Sequence, residues 1–147
     1  MALLSDSLDR PYAAAIERLR AVDLRPTRQR LAICRRLFEG GGDRHVTAET
    51  LHAEVVGQGL KVSLATVYNT LHQFTKAGLL REVVVDGAKT YFDTNVSSHH
   101  HFYDLDGGSL TDIPGEGIAV EGLPNAPHGL EIDRVDVVIR LRRTSKV

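Results

Sequence analysis

At 147 residues, with 42% hydrophobic and 25% charged side chains, the chain can bury one good core or two small ones and has none of the bias of a disordered or low-complexity protein. No apolar run approaches the roughly 18 residues that span a bilayer, and the first residues lack the basic flank and long apolar core of a secretion signal, so a cytoplasmic protein with no membrane partner is expected. The formal charge of −1 argues against attachment to nucleic acid by bulk attraction, yet it is unevenly spread: residues 1–36 hold eight arginines against four acidic residues, and residues 94–147 hold five basic against eight acidic.

Pro11 to Val22 carries Ala15, Ile16 and Leu19 at helical spacing, and Pro11 suits a first helical turn. After a break at residues 23–26, Thr27 is the candidate N-cap of a second helix. That helix has Leu31, Cys34, Leu37 and Phe38 on one face, Arg28, Arg30, Arg35 and Arg36 around the others, and Gly40, Gly41 and Gly42 after it. Cys34, the one cysteine, reads as a buried structural thiol, and its solitude excludes an internal disulfide or a zinc site built from several thiolates. Thr47 opens a third helix with Leu51 and Val55 inward, stopped by Gly57 and Gly59. Ser63 caps a fourth, Leu64 to Ala77, whose buried stripe is Leu64, Val67, Leu71 and Phe74. Its other face is small and polar: Ala65, Thr66, Asn69, Gln73 and Lys76, with Tyr68 at the border.

Beyond Gly78 the apolar period shortens. Residues 80–85 and 89–93 are rich in β-branched and aromatic side chains, and Asp86-Gly87 between them is a two-residue hairpin signal. Helices followed by a hairpin is the order of a winged helix-turn-helix, in which the last helix before the wing enters the major groove of duplex DNA while the wing and neighbouring helices hold phosphates. On that reading Ala65 and Thr66 let the backbone approach base edges, Tyr68 and Asn69 contact them, and Arg28 belongs to the basic part that faces DNA. The plainer alternative is a small helical interaction domain whose fourth helix is polar because it is solvated.

Residues 97–108, Ser-Ser-His-His-His-Phe-Tyr-Asp-Leu-Asp-Gly-Gly, read as a strand entering a turn. Strand alternation puts His99 and His101 on one face and His100 on the other. A His-x-His pair on a strand is half of a metal site, because neutral imidazole is the commonest protein ligand for first-row transition metals. A solvated polar strand end is the plainer alternative. His52 and His72 lie on helices, where surface or packing roles are expected. Between Ile113 and Leu130, three prolines and four glycines are poor material for a long helix. Val135, Val137, Ile139 and Leu141, alternating with Asp136, Arg140 and Arg142, look like a long C-terminal strand, with Val138 suggesting partial burial on both faces.

The words Leu24-Arg-Pro-Thr-Arg-Gln-Arg30, His45-Val-Thr-Ala-Glu49, Ser63-Leu-Ala-Thr-Val-Tyr-Asn-Thr-Leu71, Asp86-Gly87 and His99-His-His101 together resemble the ferric uptake regulator family, over most of residues 12–113. The resemblance implies an α+β chain with an N-terminal winged helix-turn-helix domain, residues 1–94, followed by a small α/β dimerisation domain, residues 95–147. It implies a homodimer, or a dimer of dimers, acting on an inverted-repeat operator in double-stranded DNA, and no enzyme. It also implies a regulatory metal site. The family's ligands correspond to His45 before the third helix, Asp93 after the wing, His99 and His101, and Asp112 at the end of the following strand, so that an ion would fix the angle between the halves. These donors suit Fe(II), Mn(II) or Zn(II), and the lack of thiolate argues against Cu(I) or an iron-sulfur cluster. For a second metal site, common in the family, or for haem, the candidates are His100, His128 and Glu121.

The departures matter equally. Most members carry two Cys-x-x-Cys pairs holding a structural zinc; here Asp104 and Gly107 replace the first and the second is missing, so no structural zinc on four thiolates is expected and apolar burial must hold the domain. Loss of both pairs beside an intact His triplet resembles the iron response regulator branch, whose members respond to haem. The Asn after Val-Tyr and the acidic Asp112 resemble the peroxide-sensing branch. The expectation is a metal- or haem-responsive regulator of iron homeostasis, with a peroxide-sensing or manganese- or iron-dependent repressor as the alternative. A mononuclear metalloenzyme lacks a general base beyond the ligands and any nucleophile motif, and a metal buffer without a DNA role leaves the segregated charge unexplained.

Overall fold

A computed structural model describes residues 11–86 and 89–145, and these residues form two compact units that divide between Val96 and Ser97. Among the described residues of the first unit, four helices run α1 (Ala13–Ala21), α2 (Arg28–Phe38), α3 (Ala48–Gly57) and α4 (Leu64–Lys76). Hydroxyl side chains start three of them. Thr27 Oγ1 accepts from the Arg30 amide at 3.2 Å, Thr47 Oγ1 from Thr50 at 3.2 Å and Ser63 Oγ from Thr66 at 3.1 Å, each satisfying a donor that has no partner within the helix. The exception is α1, which begins after Tyr12 with no side-chain cap; Pro11 lies in the preceding turn. Gly78 adopts φ +87° just past α4, a conformation that costs glycine little, and so ends the helix.

The core of this unit is one cluster in which Leu19, Ile33, Leu37, Leu51, Val55, Val67, Leu71 and Phe74 from the helices meet Leu80 and Phe92. Two expectations change in detail. Leu64 is 40% exposed, because the stripe that faces the core begins one turn later; Thr70 takes the buried place and returns its hydroxyl to the Thr66 carbonyl at 2.8 Å. On α2, Ile33 joins Cys34 and Leu37 inside, while Leu31 and Phe38 pack at the margin.

Three strands follow among the described residues of this unit: β1 (His45–Val46), β2 (Arg81–Asp86) and β3 (Lys89–Asp93), in the order β1-β3-β2 with both ladders antiparallel. The hairpin expected at Asp86-Gly87 is present as the β2–β3 ladder, while Gly87 itself lies outside the described residues. The second unit has β4 (His100–Asp104), β5 (Leu110–Ile113) and β6 (Val138–Leu141) in the order β5-β4-β6. β4 pairs antiparallel with β5 and parallel with β6. Between β5 and β6 the described residues form no helix longer than one 3-10 turn, Gly115–Gly117, in keeping with the proline and glycine content. The long C-terminal strand is a correction: β6 has four residues and one neighbour, and Ile139 and Leu141 are exposed rather than buried.

A polar clasp closes the second unit. Asp104 Oδ1 accepts from the Asp106 and Gly107 amides at 3.0 and 2.9 Å, Oδ2 accepts from Arg143 Nη2 at 2.8 Å, and the Arg143 amide donates to Asp106 at 2.8 Å. A Cβ on Gly107 would lie 2.8 Å from Asp104 Oδ2, so a bare glycine is what lets the carboxylate sit there. The Gly107 amide has the largest effect and, with the Asp106 amide and Arg143, outweighs the opposing effect of burial and holds the Asp104 carboxyl below its ordinary 3.8. A group depressed in the folded state contributes stability above its unfolded pKa and loses it as pH falls. Asp104→Ala and Gly107→Ala should therefore each lower the melting temperature at neutral pH. For Asp104→Ala the gap from the unsubstituted chain should narrow below about pH 4, and thermal melts across pH 2.5–8 check this.

Candidate metal centre

β1 has two residues, but they are held on several sides. His45 lies opposite Asp93 and Val46 opposite Phe92, while Thr47 immediately caps α3. Phe92 and Asp93 are both fully buried, so the carboxylate needs polar partners where its neighbour needs apolar ones. It has them: Asp93 Oδ2 stands 3.1 Å from His45 Nε2, and Oδ1 accepts from the Asn95 amide at 2.9 Å.

The residue before His45 anchors the strand. Arg44 and Thr94 exchange backbone contacts, the Arg44 amide donating to Thr94 Oγ1 at 2.8 Å and the Thr94 amide to the Arg44 carbonyl at 3.0 Å. The Arg44 guanidinium donates to the Arg36 carbonyl at the end of α2 and to both Glu54 oxygens on α3, and Arg36 adds a further bond to Glu54 at 3.0 Å. Burial alone would raise the Glu54 pKa; hydrogen bonds and charge from Arg44 and Arg36 outweigh it and hold the group below its ordinary 4.5.

The second unit carries three ligand-type side chains of its own. His101 on β4 lies opposite Asp112 on β5, and His99 just ahead of β4 shares the His101 face, as strand alternation requires. The Nε2 atoms of His99 and His101 stand 3.1 and 3.3 Å from the same Asp112 Oδ1, their rings 4.5 Å apart, and both histidines are buried. One ligand atom from each of the three lies within 4.8 Å of the others. His99 Nδ1 is 2.7 Å from the Ser97 carbonyl, which can only accept, so that nitrogen carries a proton. In the neutral ring Nε2 is then a lone pair aimed at a carboxylate oxygen, an arrangement that repels unless a cation, proton or metal, lies between. Tethering of the remote ring nitrogen to a carbonyl is also the usual support of a metal-bound imidazole.

The donor chemistry fits a divalent first-row ion: imidazole nitrogens and carboxylate oxygens with no thiolate. Cys34 offers none, since it lies in the helical core and burial, partly countered by Arg18, pushes its thiol up to about 11.

The other expected site residues are placed differently. His100 faces away from His99 and His101, and its Nδ1 accepts from the Val137 amide at 3.1 Å. His128 and Glu121 are exposed, and among the described residues neither gathers with His100 into a three-ligand group. On α4, Ala65, Tyr68 and Asn69 are exposed along one stripe that continues through His72, Gln73 and Lys76. Thr66 is half-buried and accepts a bond from the Ser63 hydroxyl, which ties it to the cap. Arg28 is exposed at the start of α2. Of the helix histidines, His52 Nε2 reaches the Val62 carbonyl at 2.9 Å. His72, expected at the surface or in packing, sets its ring 4.7 Å from Tyr68 within the polar stripe, a placement that the i, i+4 spacing from Tyr68 already signals.

A helical unit with a β-hairpin, an exposed polar last helix and His/Asp sets on short strands defines a winged-helix regulator. More particularly, the chain belongs to the ferric uptake regulator family, whose model matches residues 21–139. The ferric uptake regulation protein of Shigella flexneri is 34% identical over 116 residues, 78% of each chain. The peroxide operon regulator of Bacillus subtilis is 34% identical over 126 residues, 80% of this chain and 86% of the relative. Among solved structures, the ferric uptake regulator of Pseudomonas aeruginosa with manganese aligns with a TM-score of 0.65 at 26% identity, covering 88% of this chain and 97% of that one. The chain is thus a transcription regulator of this family and not an enzyme.

Removing Glu54 would leave Arg36 and Arg44 half-buried with no anion between them. Glu54→Ala is expected to cost roughly 1–3 kcal/mol at neutral pH in urea unfolding. Because the folded pKa is depressed, that contribution is present above about pH 4.5 and fades as the solution is acidified.

Proposed function

We propose that His45, Asp93, His99, His101 and Asp112 ligate one Fe(II), Mn(II) or Zn(II) ion, and that its binding controls how a homodimer grips an inverted-repeat operator in iron homeostasis. The observation that carries this reading is the pair of imidazole Nε2 atoms aimed at one Asp112 oxygen, with His99 tethered behind by Ser97. Among relatives, the Pseudomonas aeruginosa structure was solved with manganese. An ion bound by all five residues would supply a cross-link between segments far apart in sequence. Moving a two-state switch from 1:99 to 99:1 needs about 5.5 kcal/mol of differential affinity. That is well below the roughly 10–16 kcal/mol of a full structural zinc site.

On the DNA side, Ala65, Tyr68 and Asn69 face base edges from the exposed stripe of α4, Thr66 holds the start of that helix, and Arg28 meets the backbone. A second copy of the chain would cover Leu123, Leu130, Ile132, Ile139 and Leu141, all exposed on the second unit. Asp104 and Gly107, standing where the family pattern has its first cysteine pair beside an intact His triplet, support the iron response regulator branch. A divalent ion is favoured over haem as the first effector. The His100 Nδ1 lone pair is taken by the Val137 amide, which puts the ring proton on Nε2 and leaves no free lone pair for a haem iron.

Two measurements test this reading. By calorimetry, His99→Ala and Asp112→Ala should each weaken Mn(II) binding about tenfold or more, while His128→Ala leaves it unchanged. Operator affinity, on a duplex selected by the protein from random sequence, should rise at least tenfold with Fe(II) or Mn(II) in the unsubstituted chain and not in His101→Ala. Affinity that falls with haem and ignores divalent ions would reverse the choice of effector. Equal affinity for selected and random duplexes under every condition would sink the DNA role altogether.

A further inference from the structure

Two of the grooves on the first unit differ in how their cations are balanced. The larger, about 800 Å³, is lined by Arg28, Arg35, Arg36 and Arg44 together with Glu39 and Glu54. Three of those arginines are neutralised: Arg35 pairs with Glu39 at 2.8 Å, and Arg36 and Arg44 share Glu54. The smaller, about 490 Å³, lies between the start of α2 and the loop ahead of α4, and its lining is Thr27, Arg28, Gln29, Gly59, Leu60 and Lys61. It holds no acidic side chain. Arg28 and Lys61 come from different elements, both are exposed, and among the described residues neither has an ion-pair partner.

This groove is fixed against the polar stripe of α4. Arg30, two residues after Arg28, donates from Nη2 to Gln73 Oε1 on α4 at 3.0 Å and from Nη1 to the Arg25 carbonyl at 2.9 Å. Lys61 lies two residues ahead of Ser63, the α4 cap. Gly59 turns the chain with φ +95° and brings no side chain into the opening. An unbalanced cationic groove held alongside the exposed polar face of α4 matches the charge of a duplex backbone running beside the major groove that the helix enters.

We propose that the groove between Arg28 and Lys61 is a track for the phosphodiester backbone of duplex DNA, with Lys61 a phosphate contact and Arg28 its counterpart across the groove rather than a base reader. The inference rests on the DNA-binding reading above and adds to it where the strand runs. Phosphate contacts are blind to sequence and release counterions, so they have a signature that base contacts lack.

The test uses the full chain with Mn(II), on the selected duplex and on a random-sequence duplex, at salt concentrations from 50 to 300 mM. Lys61→Ala and Arg28→Ala should weaken both duplexes by the same factor, several-fold at the higher salt. Each should flatten the plot of log affinity against log salt by about 0.9, and the ratio between duplexes should stay constant. Lys61→Arg should keep the slope, and both alanine variants should keep the unsubstituted melting curve. Unchanged slopes would overturn the proposal, as would a loss confined to the selected duplex, which marks base readers. Millimolar inorganic phosphate displacing DNA at constant ionic strength from the unsubstituted chain but not from Lys61→Ala would assign the groove to a small anion instead. If the unsubstituted chain binds no duplex, the DNA reading itself has failed, an outcome visible before any variant is made.

Discussion

Strand register is the constraint on which the rest of this molecule depends. His45 reaches Asp93 because those residues are partners in the β1–β3 ladder, and His101 reaches Asp112 because they are partners in the β4–β5 ladder. Side chains alternate along a strand, so a slip of one residue in either ladder would turn a ligand away and bring an apolar neighbour into its place. Both ladders are short. What prevents slippage is burial at adjoining positions: Val46 and Phe92 in one unit, Tyr103, Leu110 and Ile113 in the other. Apolar packing thereby sets the positions of polar atoms to within hydrogen-bond distance.

The two units solve the problem of holding short strands by different means. The first ties β1 to two helices through the Arg36–Glu54–Arg44 network, with a helical core behind it. The second has little apolar material to bury and relies on directional bonds instead. The Val137 amide bonds to His100, the Leu105 amide to the Leu141 carbonyl, and the Asp104–Arg143 clasp joins the turn after β4 to the segment after β6. Where the family pattern noted above would place its first cysteine pair, this chain has a carboxylate held by a guanidinium and a glycine small enough to admit them. Its cohesion should respond to pH rather than to thiol oxidation.

Local signals were the legible ones. The N-caps at Thr27, Thr47 and Ser63, the break at Gly78 and the hairpin flanking residues 86 and 87 depend on neighbours within four residues, so the sequence displays them directly. Leu64 and the β6 region depart from their local signals for a common reason. An apolar side chain shows that it prefers burial, but the partner surface that buries it is built from distant segments. Nothing in residues 135–141 reveals that β6 would pair along one edge of β4 for only four residues. Arg30 counts as one more helix arginine from sequence; its bond to Gln73 spans 43 residues and belongs to the packing.

The sequence by itself determined which donors are available: imidazoles and carboxylates without thiolates, a polar last helix, and a basic beginning. It also determined which side chains share a strand face, since that follows from the pleat alone. Tertiary structure decided which oxygen the two imidazoles would meet, which ring nitrogen would be tethered, and which arginines would be neutralised and which left with charge to spare. Those outcomes depend on distances between residues tens of positions apart, and such distances are set by how the cores pack.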